Sequence, residues 1–156
     1  IKIINFISRF ENHPVLVSAH PRLRKILKKN IFKKKLNNNI KIMKPFSFSE
    51  YIILQMSSKL VISDSGSIPE EASILNLKSI ILRDTFERQE IFNKTSSIIS
   101  NLNLENFKKV FNTECNNFNF DKRVNEYENP DFSKNLCRII SSKISYINNY
   151  VWNKKF

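Results

Sequence analysis

The chain has 156 residues, of which 41% are hydrophobic and 13 are Phe, so it is long enough for one domain with a core of its own. No apolar run approaches the roughly 20 residues of a transmembrane helix, and residues 1–10 lack the basic head, apolar block and cleavage site of a secretory signal. The formal net charge of +12 raises nucleic acid as a partner, but apart from KKNIFKKK at 28–35 the basic residues are scattered, and no nucleic-acid-binding motif accompanies them.

In chain order, helical and extended patterns alternate. IKIINFISRF, 1–10, reads as an amphipathic helix and PVLVSA, 14–19, as a buried strand. PRLRKILKKNIF, 21–32, is helical, with Pro21 in its first turn. NIKIMKPF, 39–46, is a second strand ending in a Pro45 turn. SFSEYIILQMSS, 47–58, is a helix in which Ser47 and Glu50 have capping-box spacing. KLVISD, 59–64, is a third strand, IPEEASILN, 68–76, a helix, and KSIILRD, 78–84, a fourth strand. TFERQEIFNK, 85–94, is a short helix, SSIIS, 96–100, a fifth strand, and NLENFKKVFN, 103–112, another helix. Residues 113–130 are polar and irregular, and 131–156 form one long closing helix.

Short apolar strands alternating with helices imply an α/β fold, a Rossmann-like parallel sheet flanked by helices on both faces. Ligands of such sheets bind outside the C-terminal ends of the strands. The expected division is a domain over 1–130 and a closing helix over 131–156. Cys115 and Cys137 form no C-x-x-C pair and no metal spacing with His13 or His20, which suits free thiols in a reducing cytoplasm. No metal or cofactor is expected. The chain opens on Ile1, so it is expected to be a piece of a longer protein.

The only glycine, Gly66, stands in SDSGSIPEEASIL, 63–75, at the turn from the third strand to the next helix. Ser67 is placed to cap that helix, with Glu70 completing a second capping box and Pro69 in the first turn. A helix start offers free N–H groups and partial positive charge, which suit phosphate. Glycine lets the backbone approach the ligand, and Ser65 and Ser67 add hydroxyls. Glu70 and Glu71 would repel a phosphate, so one of them should face something else. A ribose diol fits a carboxylate, and this points to a nucleotide. The competing reading is a well-capped turn with no ligand.

Two further segments follow strands at the same end of the sheet. LRDTFERQE, 82–90, supplies Arg83 and Arg88, whose planar forks suit a diphosphate. The alternative is local ion pairs, Arg83 with Asp84 and Glu87 with Arg88. SAHPRLRK, 18–25, supplies His20, Arg22 and Arg24, although a single histidine is more often a turn or surface residue than a catalyst. There is no G-x-S-x-G, no G-x-x-x-x-G-K-[ST] and no G-x-G-x-x-G.

HPRLRK, SDSGSIPEEASIL and LRDTFERQE, in this order, resemble the second half of the non-hydrolysing UDP-N-acetylglucosamine 2-epimerases, whose pattern is close to DSGG-I-x-EEA followed by RD-x-TERPE. KPFSFSEYIILQ and SYINNYVWNKK resemble the branch that forms UDP-N-acetyl-L-fucosamine. The resemblance implies the C-terminal, UDP-binding half of a glycosyltransferase-B-like enzyme, with its nucleotide in the cleft against an N-terminal domain that this chain lacks. It implies that Ser65, Gly66 and Ser67 hold the diphosphate, Glu71 the ribose, and that Arg88 lies near diphosphate and sugar, with His20 at a matching position. Arg88 and His20 are the candidates for a catalytic role. Ser67 stands where the family has a second glycine, Gln89 where it has proline and Phe86 where it has threonine.

The implied reaction inverts C2 of the sugar by elimination and re-addition of UDP, without an external cofactor. The family's catalytic carboxylates belong to the absent domain, so this chain is expected to be inactive alone. A homodimer is compatible with the resemblance. A nucleotide-binding remnant or regulatory subunit, and a glycosyltransferase of the same fold, are the alternatives.

Overall fold

The computed structural model describes residues 2–9, 13–27, 37–85, 87–88, 90, 97–116 and 124–154. The expected strands form as β1 (Val15–Ser18), β2 (Ile40–Met43), β3 (Val61–Ser63), β4 (Ser79–Leu82) and β5 (Ser97–Ser100). They group into two parallel pieces, β1–β2 and β3–β4–β5, where one continuous sheet was expected. Val15 pairs with Ile40, Val61 with Ser79, and Ser79 with Ser97.

Ile80 and Ile81, neighbours in β4, point to opposite faces of the sheet and are both fully buried. Both faces of the β3–β4–β5 piece are therefore covered, as parallel sheets require, whereas β1, expected to be a buried strand, leaves Leu16 exposed, and Ile42 and Met43 of β2 are exposed beside it. On the Ile80 face lie α1 (Lys2–Ile7) and α5 (Leu104–Asn116), whose Phe107 and Phe111 form a cluster joined by Phe6. Phe6 meets both rings edge-on, with centroids at 6.0 and 5.6 Å. On the Ile81 face, α4 (Ile68–Ile74) contributes Ile68 to a cluster with Val61. Tyr51 of α3 (Phe48–Met56) packs against that cluster. The other α-helices among the described residues are α2 (Pro21–Leu27) and α6 (Phe132–Tyr146).

The Ser47–Glu50 capping box forms as read from the sequence. The Ser47 N–H donates to Glu50 Oε2 at 2.9 Å and the Glu50 N–H to Ser47 Oγ at 3.4 Å. In a chain with one glycine, asparagine takes the left-handed positions found among the described residues. Asn76, at φ 52°, closes α4, with the Leu77 N–H on the Ala72 carbonyl at 2.8 Å and the Asn76 N–H on the Ser73 carbonyl at 3.2 Å. Asn153, at φ 48°, does the same after the last turn of the chain.

Three local expectations change. Helix α5 runs on to Asn116, into the stretch expected to be irregular, where Lys78 Nζ donates to the Glu114 carbonyl at 3.3 Å. A 3-10 turn at Asn125–Tyr127 is fastened to α4, the Val124 N–H donating to Ser73 Oγ at 2.6 Å in buried surroundings. The closing helix α6 passes into a π turn at Ile147–Val151 and ends at Trp152. No residue of α6 is buried, and Phe132, Leu136, Ile139, Ile140 and Ile144 repeat at helical spacing on its exposed surface. The helix expected at 85–94 and the basic run at 28–35 lie largely or wholly outside the described residues. Among the described residues no helix is long and apolar enough to cross a membrane.

Candidate functional site

The segment after β3 and the segment after β4 emerge side by side, because the two strands are paired and parallel. That neighbourhood brings Arg83 and Arg88 over the turn at Gly66. A Cβ added to Gly66 would stand 3.5 and 3.6 Å from the two terminal nitrogens of Arg83 and 3.7 Å from Nη1 of Arg88. Gly66 does not have a positive φ, so backbone strain does not demand glycine here. What glycine leaves is main chain uncovered beneath two guanidinium groups.

Arg83 is held there by its Nε, which donates to the Asp64 carbonyl at 2.7 Å. Arg88 is held by an ion pair between its Nε and Glu70 Oε1. This hydrogen bond raises the Arg88 pKa further above its ordinary value. Both arginines thus turn across the fold, and neither of the local pairs expected as an alternative, with Asp84 or with Glu87, is formed. The pairing gives Glu70 an arginine as its partner, while Glu71 bonds to Ser67 and Gln55.

The second capping box is not formed. Ser67 has helical backbone angles, φ −82° and ψ −18°, and makes no side-chain cap. Its Oγ donates instead to Glu71 Oε1 at 2.6 Å, while Glu70 is drawn to Arg88. With Pro69 lacking an N–H and α4 only seven residues long, the helix start contributes little positive potential. The positive charge here comes chiefly from Arg83, bound to a carbonyl, with Arg88 beside it paired to Glu70. Ser65 adds a hydroxyl 3.2 Å from that of Ser67, and its own N–H donates to Ser63 Oγ at 3.0 Å.

Glu71 is gripped on both oxygens, by Ser67 on Oε1 and by Gln55 Nε2 on Oε2 at 2.7 Å. Tyr51 stands near it. Burial first, and then the Glu71 charge, push the Tyr51 pKa up. Sequence reasoning passed over Gln55, although a lone amide inside the apolar run YIILQM was a visible signal. It also passed over Tyr127, whose hydroxyl donates to Glu90 Oε1 at 2.6 Å. Burial, then that hydrogen bond, push the Tyr127 pKa up, and the same bond holds the Glu90 carboxylate below its ordinary range.

Of the residues expected at the site, Ser65, Gly66, Ser67, Glu71 and Arg88 come together. His20 follows β1, which belongs to the other sheet piece. It is exposed, with Nδ1 accepting from the Arg22 N–H at 3.4 Å. Among the described residues no cluster of His, Cys, Asp or Glu could hold a metal. Cys115 and Cys137 are both free and exposed.

A family model described as UDP-N-acetylglucosamine 2-epimerase matches residues 1–141. The UDP-N-acetylglucosamine 2-epimerase of Methanocaldococcus jannaschii is 34% identical over 129 residues, which are 81% of this chain and 35% of that protein. That of Methanococcus maripaludis is 37% identical over 105 residues, 66% of this chain and 29% of that protein. The chain thus spans about a third of the length of the curated relatives it matches. The structure of UDP-N-acetylglucosamine 2-epimerase from Rickettsia bellii superposes with a TM-score of 0.86 at 34% identity, covering 97% of this chain and 42% of that one. The Methanocaldococcus jannaschii enzyme in complex with UDP-GlcNAc and UDP superposes with a TM-score of 0.74 at 30% identity, covering 90% of this chain and 41% of that one. With the turn at Gly66, the arginines above it and the helix behind it lying within the matched residues, the chain belongs to the UDP-N-acetylglucosamine 2-epimerase family and corresponds to the C-terminal part of its members.

Proposed function

We propose that this chain is the UDP-binding half of a UDP-N-acetylhexosamine 2-epimerase. The observation that carries the reading is the convergence of Arg83 and Arg88 over Gly66, with Glu71 one helical turn away. In it, Ser65, Gly66 and Ser67 receive the diphosphate, Arg88 and Arg83 neutralise it, and Glu71 accepts from the ribose hydroxyls. Residues 1–130 form the binding domain and 131–156 the closing segment.

The reaction is C2 inversion by elimination of UDP and its re-addition. A departing diphosphate gains negative charge, and fixed guanidinium groups stabilise that charge at no cost of reorganisation. The same groups retain UDP for its return. Removing the C2 proton and replacing it on the other face require an acid and a base beside the sugar. Those groups belong to an N-terminal half, so the isolated chain binds but does not turn over. The exposed apolar face of α6 is the surface on which that half packs, and its exposure supports this reading. We take the product to be UDP-N-acetyl-L-fucosamine for a surface polysaccharide, on the strength of KPFSFSEYIILQ and SYINNYVWNKK, and the compartment to be the cytoplasm.

Calorimetric titration of the chain with UDP tests the assignment. Binding that both Ser65→Ala and Glu71→Ala weaken supports it. A folded chain that takes up no UDP, or binds it equally well in both variants, overturns it.

A further inference from the structure

Gln55 lies at the end of α3 with only 3% of its surface exposed. A buried amide requires a reason, because its polar atoms lose water. Its Nε2 donates to Glu71 Oε2 at 2.7 Å. The amide cannot be turned over, since its oxygen would then face a carboxylate oxygen with no proton between them. Its Oε1 is therefore committed to the other side, where it is buried and meets no donor among the described residues. Packing alone does not account for an amide here, since an apolar residue of similar length fills the space without leaving a carbonyl oxygen unpaired.

The consequence lies on Glu71. An ionised carboxylate accepts about four hydrogen bonds, two on each oxygen. Gln55 occupies one position on Oε2 and Ser67 one on Oε1, at 2.6 Å. One acceptor position is left on each oxygen, which suits two neighbouring hydroxyls of one ligand. Resting on the assignment of Glu71 to the ribose, we propose that Gln55 is the positioning residue that holds this carboxylate for an intact diol and so sets the preference of the site for ribonucleotide over deoxyribonucleotide. Gln55 itself acts through Glu71. The Ser67 hydroxyl is an exposed partner on the same helix, whereas Gln55 grips from the buried side and from another helix, so it is the stronger determinant of the rotamer.

The test is titration of the full chain with UDP and with 2′-deoxy-UDP, for the wild type, Gln55→Met, Gln55→Glu and Glu71→Ala. The wild type is expected to prefer UDP by about tenfold or more, as the loss of a charge-assisted hydrogen bond implies. Gln55→Met is expected to lose most of that preference, weakening UDP while leaving 2′-deoxy-UDP within about twofold, because the diphosphate contacts are untouched. Gln55→Glu places two carboxyl groups at hydrogen-bonding distance. Its preference is expected to be low when both are ionised and to recover as pH falls and one proton is shared. That recovery has no counterpart in a merely structural role, and it remains readable if the Met variant does not fold. Equal weakening of both ligands by Gln55→Met, or a pH-independent preference in Gln55→Glu, overturns the proposal. A Glu71→Ala variant that keeps the full preference instead overturns the ribose assignment beneath it, so the two failures are told apart.

Discussion

The Nε of Arg88 donates to Oε1 of Glu70, a residue eighteen positions earlier on a different element. The contact closes the segment after β4 onto the first turn of α4. It also places a carboxylate in competition with any diphosphate for the same guanidinium. The side chains are 30% and 33% exposed, so the pair is partly screened and of modest strength, roughly 1 kcal/mol or less.

Removing the competitor is therefore expected to help the ligand. Glu70→Gln should raise UDP affinity about two- to fivefold in calorimetric titration. Unchanged or weaker binding would show that Glu70 holds Arg88 in place for the ligand and does not compete with it.

Gly66→Ala should separate folding from binding. The added methyl meets the arginines at 3.5–3.7 Å, ordinary contact distances, and φ is not positive. Melting temperature should be unchanged or slightly higher, because alanine restricts the unfolded chain. UDP affinity should fall about tenfold or more if the diphosphate lies on this main chain as proposed, since the methyl covers it.

Phe107 is fully buried and packs with Ile80, Phe111 and Phe6. Phe107→Ala should cost about 3–5 kcal/mol in denaturant unfolding, through lost burial and the cavity left behind. That is a large share of the roughly 5–15 kcal/mol of a typical domain. A cost below about 1 kcal/mol would mean that this face is not the core.

The capping box predicts a pH dependence. The Ser47 hydroxyl, and then its N–H, donate to Glu50 and hold its carboxyl below the ordinary value of 4.5. A lowered folded pKa gives stability that is complete above the unfolded value and is lost as pH falls through the folded one. Glu50→Ala should melt below the wild type at neutral pH, and the difference should shrink once pH drops below about 4.5. A difference that stays constant across that window would remove ionisation as its source.

Ile140 is 51% exposed on the apolar face of α6. Ile140→Lys should leave melting unchanged and improve solubility of the isolated chain, because it breaks an exposed apolar stripe. Co-expressed with an N-terminal epimerase half, the same variant should lose association. A drop in melting temperature would show that the face is already used within this chain.

The alternation of strands and helices, the capping box at Ser47 and the strand-to-helix turn at Gly66 were all legible in the sequence. Each depends on residues within a few positions of one another, where backbone geometry and side-chain reach settle the partner. The three motifs around His20, Gly66 and Arg88 also carried the family. What the tertiary structure decided is which long side chains meet. Arg88 with Glu70, Gln55 with Glu71 across 16 positions, Tyr127 with Glu90 across 37 and Val124 with Ser73 across 51 follow from how strands pair and helices pack. Ser67 shows the limit most plainly. Its spacing to Glu70 fits a capping box, yet Glu70 is taken by an arginine from the neighbouring strand's exit and the hydroxyl goes to Glu71. The fold brings Arg88 beside Glu70, and Ser67 finds a carboxylate acceptor in Glu71, so both groups of the local box are engaged elsewhere.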